Sequence, residues 1–283
     1  MGRFVLSAFS DEYTSALDGQ IEALKKFNIG FIELRHADGL NVADFTDGYV
    51  DILADKLSAA GIKVSSIGSP IGKIPVDGDL EAHFDKAEKV FRTAKRLGSK
   101  YVRIFSFYPP SADSALNRRE ATLSALSRLL DLADVYGVTL CHENEANIYG
   151  ESIDACFELL EHFGGRLKCV LDMGNFVLDG CDPMRAYDVL KKYIAYFHIK
   201  DALYKGAVVP AGKGEARIKE ILQRYASDFN SDVFITLEPH LQTFDGLNAL
   251  VGKSFDNPYK YASAELAFSD AVDKLRKLLE GML

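Results

Sequence analysis

This sequence has no stretch approaching the roughly 20 apolar residues that a membrane-spanning helix requires. Its opening residues, Met1-Gly2-Arg3-Phe4-Val5-Leu6-Ser7-Ala8-Phe9-Ser10-Asp11-Glu12, turn acidic before an apolar segment of signal-peptide length develops. It also lacks a basic excess: 33 Lys and Arg stand against 41 Asp and Glu, a formal net charge of -8. Gripping a nucleic-acid backbone, or an anionic membrane surface, calls for a basic footprint, so neither partner is expected. No C-x-x-C spacing joins Cys141, Cys156, Cys169 and Cys181, and two of them lie inside apolar runs. They read as reduced core cysteines of a cytoplasmic protein rather than zinc ligands or disulfides. There is no G-x-G-x-x-G, no P-loop and no low-complexity linker, which removes the usual signatures of nucleotide binding and of separate halves.

What the chain does have is strict alternation. Short β-branched or aromatic runs are expected as strands at Phe4–Phe9, Phe31–Leu34, Val64–Ile67, Tyr101–Phe105, Val138–Glu143, Leu167–Asp172, Ala195–Ile199 and Val233–Glu238. Amphipathic stretches between and after them are expected as helices at Ser15–Phe27, Gly48–Ala60, Leu80–Leu97, Ala115–Tyr136, Ile153–Phe163, Pro183–Tyr193, Glu215–Tyr225 and Ala262–Leu279. Asn28-Ile29-Gly30, Ala60-Gly61, Leu97-Gly98 and Tyr136-Gly137 place glycine after a helical run, and Asp182-Pro183 reads as a helix start. Eight βα units imply a parallel sheet, and over this length they fit an α/β fold of the (β/α)8 TIM-barrel type, one domain over residues 1–283.

The last four strand runs carry an ionisable residue at their final or penultimate position: Glu143, Asp172, His198 and Glu238. Burying an unpaired charge costs several kcal/mol, so such groups survive by pairing or by ligating a cation. A barrel gathers its C-terminal strand ends at one mouth. Three carboxylates and an imidazole there make an O3N set suited to one divalent ion, with the harder ions favoured by oxygen and zinc or cobalt admitted by nitrogen.

Four motifs carry a resemblance: His142-Glu143-Asn144-Glu145, Leu171-Asp172-Met173-Gly174-Asn175, Phe197-His198-Ile199-Lys200-Asp201 and Leu237-Glu238-Pro239. In this order the chain resembles the xylose isomerase-like barrel superfamily, which includes sugar isomerases and epimerases, inosose dehydratases and endonuclease IV. The resemblance implies that Glu143, Asp172, His198 and Glu238 hold one metal ion (Mn, Mg, Co or Zn) and that Glu143 and Glu238 also form the acid/base pair. It implies a small carbohydrate or polyhydroxy carbonyl substrate, isomerised or epimerised by removal of a proton beside a polarised carbonyl. The alternative on the same site is an inosose-type dehydratase; a nuclease or a non-catalytic sugar-binding barrel ranks lower. Many relatives carry a histidine where this chain has Asn175, which argues for a single metal. Such relatives are often homo-oligomers.

The expected substrate contacts are Glu33, Arg103, Glu145, Asn175 and Lys200. Glu33 and Arg35 alternate onto one face of strand two, at the mouth or as an internal ion pair, and Arg103 does the same on strand four. Glu145, two residues beyond Glu143, shares its face if the strand continues. Lys200, His36 and His240 sit just past strand ends, whereas His142 points toward the helices. The Pro210-Ala211-Gly212-Lys213-Gly214-Glu215 loop is a connection, with anion binding at a helix N-terminus as its alternative.

Overall fold

The computed structural model describes residues 3–204, 206–241 and 259–282. Eight short runs form parallel strands: β1 (Phe4–Ala8), β2 (Phe31–Leu34), β3 (Lys63–Gly68), β4 (Tyr101–Ile104), β5 (Thr139–Glu143), β6 (Lys168–Asp172), β7 (Ile194–Ile199) and β8 (Val233–Leu237). Their spatial order, β1-β8-β7-β6-β5-β4-β3-β2, closes on itself. The closing strand is β1, which runs beside β8 from Phe4↔Val233 to Ala8↔Leu237 and beside β2 at Ser7↔Phe31. A closed sheet leaves no edge of unpaired amides, and helices cover its outer face, so near-continuous apolar strands are favoured. The expected (β/α)8 barrel is the architecture observed.

Among the described residues the α-helices are α1 (Leu17–Lys26), α2 (Asp47–Ala60), α3 (Leu80–Arg96), α4 (Arg118–Tyr136), α5 (Ile153–His162), α6 (Met173–Leu178), α7 (Pro183–Leu190), α8 (Ile218–Asp228) and α9 (Ala264–Leu278). Their apolar stripes bury Leu24, Leu53, Phe91, Leu126, Leu159 and Phe268 in one core with the strand residues Ile32, Val102, Leu140, Leu171 and Phe197. Among the described residues, no helix is long and apolar enough to cross a membrane. Asp79, Asn117, Ser152 and Ser263 cap their helices by accepting a first-turn amide, and Gly61 and Gly137 end theirs in the left-handed conformation. After α1 the left-handed residue is Asn28 rather than Gly30, since asparagine tolerates that conformation too.

Several boundaries move. Asn117 caps α4, so that helix starts at Arg118 and not at 115. α8 starts at Ile218 because residues 210–216 are committed to a turn around Asp201. The one-and-a-half-turn α6, directly after β6, was not expected, nor were two small hairpins, His36–Ala37 with Leu40–Asn41 and Asp201–Leu203 with Ala207–Val209. Inside the barrel, side chains from different strands meet across the axis. The Tyr196 hydroxyl on β7 donates to Glu33 Oε1 on β2 (2.9 Å) and bonds Ser66 Oγ on β3 (2.8 Å).

Candidate metal centre

Strands β5 to β8 deliver the expected quartet to one place. One ligand atom each from Glu143, Asp172, His198 and Glu238 lies within 4.8 Å of the others, and all four residues are buried. His198 Nδ1 is 3.0 Å from Glu143 Oε1 and 3.1 Å from Glu238 Oε2. Asp172 does two jobs. Its Oδ1 accepts from the Asn175 amide (2.9 Å) and so caps α6, while Oδ2 turns to the cluster and accepts from Lys200 Nζ (2.9 Å). The close seat of α6 on Lys200 explains Gly174, where a Cβ would meet the Lys200 carbonyl oxygen at 2.7 Å.

Two arginines hold the outer oxygens of the two glutamates. Arg103 Nη1 donates to Glu143 Oε2 and Arg35 Nη1 to Glu238 Oε1, each at 2.9 Å. Both guanidinium groups stack toward the Phe9 ring, at 4.2 Å for Arg35 and 5.5 Å for Arg103. Arg35 continues to Asp11, with Nε 2.8 Å from Oδ2, and reaches Glu12 Oε1 at 3.5 Å. His240 Nε2 lies 3.3 Å from Glu238 Oε1. Thus each glutamate keeps one oxygen fixed and one in the cluster, an arrangement that holds its carboxylate plane in place.

The charge balance tests whether a cation fits. Six buried carboxylates (Asp11, Glu12, Glu33, Glu143, Asp172, Glu238) are faced by three buried permanent cations (Arg35, Arg103, Lys200). The titrations respond to that deficit. Burial pushes Asp172 up to about 7, with Glu143 and Glu238 adding to it against Lys200. Burial likewise pushes Glu12 up to about 8. His198 is buried, which disfavours its cation, yet Glu143, Glu33 and Glu238 together hold it well above the usual imidazole range. For Glu143 the burial penalty is outweighed by His198 and Arg103, which bring it down to about 2. For Glu238 it is outweighed by Lys200, His198 and His240, which hold it well below the carboxylate range. A divalent ion among these oxygen and nitrogen donors supplies the charge the pocket is short of, and the donor set matches one. The residues fit the group.

The remaining expected residues divide. Lys200 Nζ reaches Asn175 Oδ1 (3.1 Å) and Glu238 Oε2 (3.2 Å) besides Asp172, and Asn175 Nδ2 lies 3.4 Å from Glu143 Oε1. Arg103 sits beside Glu143. Glu33 lies at His198 with both oxygens occupied by His198 and Tyr196. Glu145 stands apart: β5 stops at Glu143, and Glu145 instead pairs with Lys73 Nζ at 3.1 Å, half-buried. His142 turns outward and bonds Ser106 Oγ at 3.0 Å, as alternation predicts. Asp11, Glu12 and Tyr196 were missed. A clue was present for the first two, because a buried Arg35 needs carboxylates and Asp11-Glu12 begins three residues past the end of β1.

Comparison with known proteins gives three kinds of likeness. The family described as xylose isomerase-like TIM barrel matches residues 21–270. A 3-dehydroshikimate dehydratase of Bacillus anthracis is 22% identical over 202 residues, which is 70% of this chain and 68% of that protein. A structure of the IOLI protein with a bound zinc atom superposes with a TM-score of 0.74 at 17% identity, covering 99% of both chains. An L-ribulose 3-epimerase superposes with a TM-score of 0.72 at 17% identity, covering 100% of this chain and 96% of that one.

Proposed function

This chain belongs to the xylose isomerase-like TIM barrel family, and we propose that it is a divalent-metal-dependent isomerase or epimerase of a small polyhydroxy carbonyl compound. The observation that carries the reading is the quartet Glu143, Asp172, His198 and Glu238, whose donor atoms converge within 4.8 Å at the barrel mouth. These four residues would hold the metal, whose chemistry there is Lewis-acid polarisation of a carbonyl and a neighbouring hydroxyl. The protein supplies the proton handling. Glu143 and Glu238 approach from strands separated by two others, so one removes the proton beside the carbonyl and the other returns one from a different side. Return to the same carbon inverts it; return to the neighbouring carbon exchanges aldose and ketose. Arg103 and Arg35 fix the two carboxylates during this exchange. Lys200, which donates to Asp172, Asn175 and Glu238, would give up one of these three bonds to bind a substrate oxygen at the edge of the quartet.

The dehydratase among the relatives favours a second reading, loss of water after the same proton removal. One experiment separates them. Metal-loaded protein is incubated in deuterated water with a panel of ketoses and inososes, beside chelator-treated protein and Glu238→Gln. Metal-dependent deuterium uptake into recovered substrate, lost in the variant, supports an enolising enzyme. The product then distinguishes epimer, isomer and dehydrated compound. No uptake with any of them, despite bound metal, counts against the reading.

A further inference from the structure

The cations beside the two glutamates belong to one stacked row. Arg35 and Arg103 share the Phe9 ring, and Arg103 also lies over the Phe105 ring at 4.7 Å. Over that same ring, at 4.2 Å, sits the Lys73 ammonium. The row therefore runs Arg35, Phe9, Arg103, Phe105, Lys73, with cations and aromatic rings alternating. Each cation grips a carboxylate: Arg35 holds Glu238, Arg103 holds Glu143, and Lys73 holds Glu145 Oε2 at 3.1 Å. The first two pairs fix the proposed acid/base groups, whereas the third takes no part in that proton transfer. Lys73 is nevertheless set rigidly. Its loop, which follows β3, pairs with the chain that follows β4: Phe105 N donates to Ile71 O (2.8 Å), Phe107 N to Gly72 O (2.9 Å) and Tyr108 N to Ile74 O (2.9 Å). Gly72, at φ +90, packs so closely that a Cβ there would run into the Phe105 carbonyl oxygen.

The pair stands beside the quartet, on its solvent side. Glu145 is two residues past Glu143, so their Cα atoms lie within about 7 Å of each other. Asn144, between them, is pinned to the quartet: its side chain exchanges hydrogen bonds with the Asp172 backbone at 3.0 and 3.1 Å. Burial disfavours the Lys200 cation, yet Asp172, Glu238, Glu143 and then Glu145 hold it above the ordinary lysine range, so the Glu145 charge reaches the lysine of the quartet. The Lys73 side chain is 8% exposed and that of Glu145 23%, against 3% or less for the quartet. Among the described residues Lys73 makes one side-chain hydrogen bond, to Glu145, and an ammonium has three donors. An ammonium donor beside a carboxylate acceptor suits a hydroxyl, which donates and accepts at once. We propose that Lys73 and Glu145 form the subsite for the distal hydroxyls of the substrate, so that the site takes polyhydroxy compounds of five or six carbons in preference to three. The reaction half of this inference rests on the enolising reading above; the binding of a polyol at Lys73 does not.

Two measurements on full-length, metal-loaded protein test it. The first compares deuterium exchange into a ketohexose and into dihydroxyacetone, for wild type and for Lys73→Met, which keeps an apolar stem on Phe105 and removes the donors. The ratio of kcat/KM, six-carbon over three-carbon, is expected to fall about 10-fold or more in the variant, the scale of one hydrogen bond to a charged group. Equal loss with both substrates would mean that Lys73 only ties its loop to Glu145, and overturns the proposal, as does no loss with either. Lys73→Gln, which keeps a neutral donor, serves if the methionine variant folds poorly; its ratio is expected to fall less, and an unchanged ratio overturns the proposal. The second measurement needs no turnover. Sorbitol and glycerol are titrated into each protein while amide NMR shifts are followed at Gly72, Lys73 and Tyr108. Sorbitol is expected to move these amides in wild type at concentrations where glycerol does not, and to be needed at about 10-fold higher concentration in Lys73→Met. Amides that ignore sorbitol in wild type, or respond equally in the variant, overturn the proposal. If neither ketose exchanges, the enolising reading fails, while the polyol titration still decides what Lys73 does.

Discussion

Glu33 meets His198 from the far side of the imidazole ring, with Oε2 3.2 Å from Nε2, while Nδ1 faces Glu143 and Glu238. A metal on Nδ1 requires the proton to sit on Nε2, and Glu33 is the group that accepts it. Tyr196, donating to the other Glu33 oxygen at 2.9 Å, keeps that carboxylate from turning. With both oxygens engaged, on His198 and on Tyr196, we infer that Glu33 orients the His198 ring.

The first prediction follows from this pair. Glu33→Gln keeps the size of the side chain but weakens acceptance at Nε2, and loss of such a partner typically lowers metal affinity about 10–100-fold. Competition with a chromophoric chelator measures the affinity directly, without any assay of turnover. Tyr196→Phe is expected to produce a smaller loss in the same direction. Unchanged affinity in Glu33→Gln would show that His198 is held by packing alone.

The second prediction concerns acid. His83 on α3 is buried, and its Nε2 accepts from the Gly72 amide at 2.8 Å, so the ring must be unprotonated there. Burial, with help from Lys86, holds it down to about 4. An unfolded histidine titrates near 6.5. Between those values the unfolded chain binds a proton that the folded one refuses, so stability rises with pH across this window. The full contribution is present above about 6.5 and is lost as pH falls toward about 4. His83→Gln keeps an acceptor without the titration, and its melting temperature is expected to fall less steeply over that range. His142 and His240, also held near 4 chiefly by burial, contribute equally to both proteins and cancel in the difference. Parallel curves for the two proteins would reject the assignment to His83.

The barrel was legible because each strand is an apolar run closed by turn chemistry, and the quartet because ionisable residues stood last or next to last in four such runs. Other parts were hidden for physical reasons. Asp11 and Glu12 follow β1 in a polar stretch that reads as solvated, and only the single 3-10 turn Ser10–Glu12 buries them against Arg35. Tyr196 sits inside an apolar run and looks like core until Glu33 is seen opposite. α6 is too short for periodicity to reveal, and its cap, Asp172, is at the same time a member of the quartet. The turn at 210–216 showed its glycines in sequence, but the carboxylate that fills it comes from the other end of a hairpin.

The last prediction tests which glutamate after the fifth strand would serve a metal. Period-two spacing alone places Glu143 and Glu145 on one face, but β5 ends at Glu143, and the chain then carries Glu145 toward Lys73. Glu145 also accepts from the Ala146 amide at 3.0 Å, so both its oxygens are engaged away from the quartet. Its pair with Lys73 is partly exposed and contributes at most about 1 kcal/mol. A metal at 100 times its dissociation constant adds about 2.7 kcal/mol to folded stability, which for a chain of this size raises the melting temperature by about 5 °C. Melts with and without metal should give that rise in Glu145→Gln as in wild type, and none in Glu143→Gln. Comparing each variant with itself removes any effect of the substitution on the metal-free protein, including the loss of a charged partner for Arg103. The reverse outcome, with the rise kept in Glu143→Gln and lost in Glu145→Gln, would require the loop after β5 to fold back into the barrel when metal binds, and would move the ligand role to Glu145.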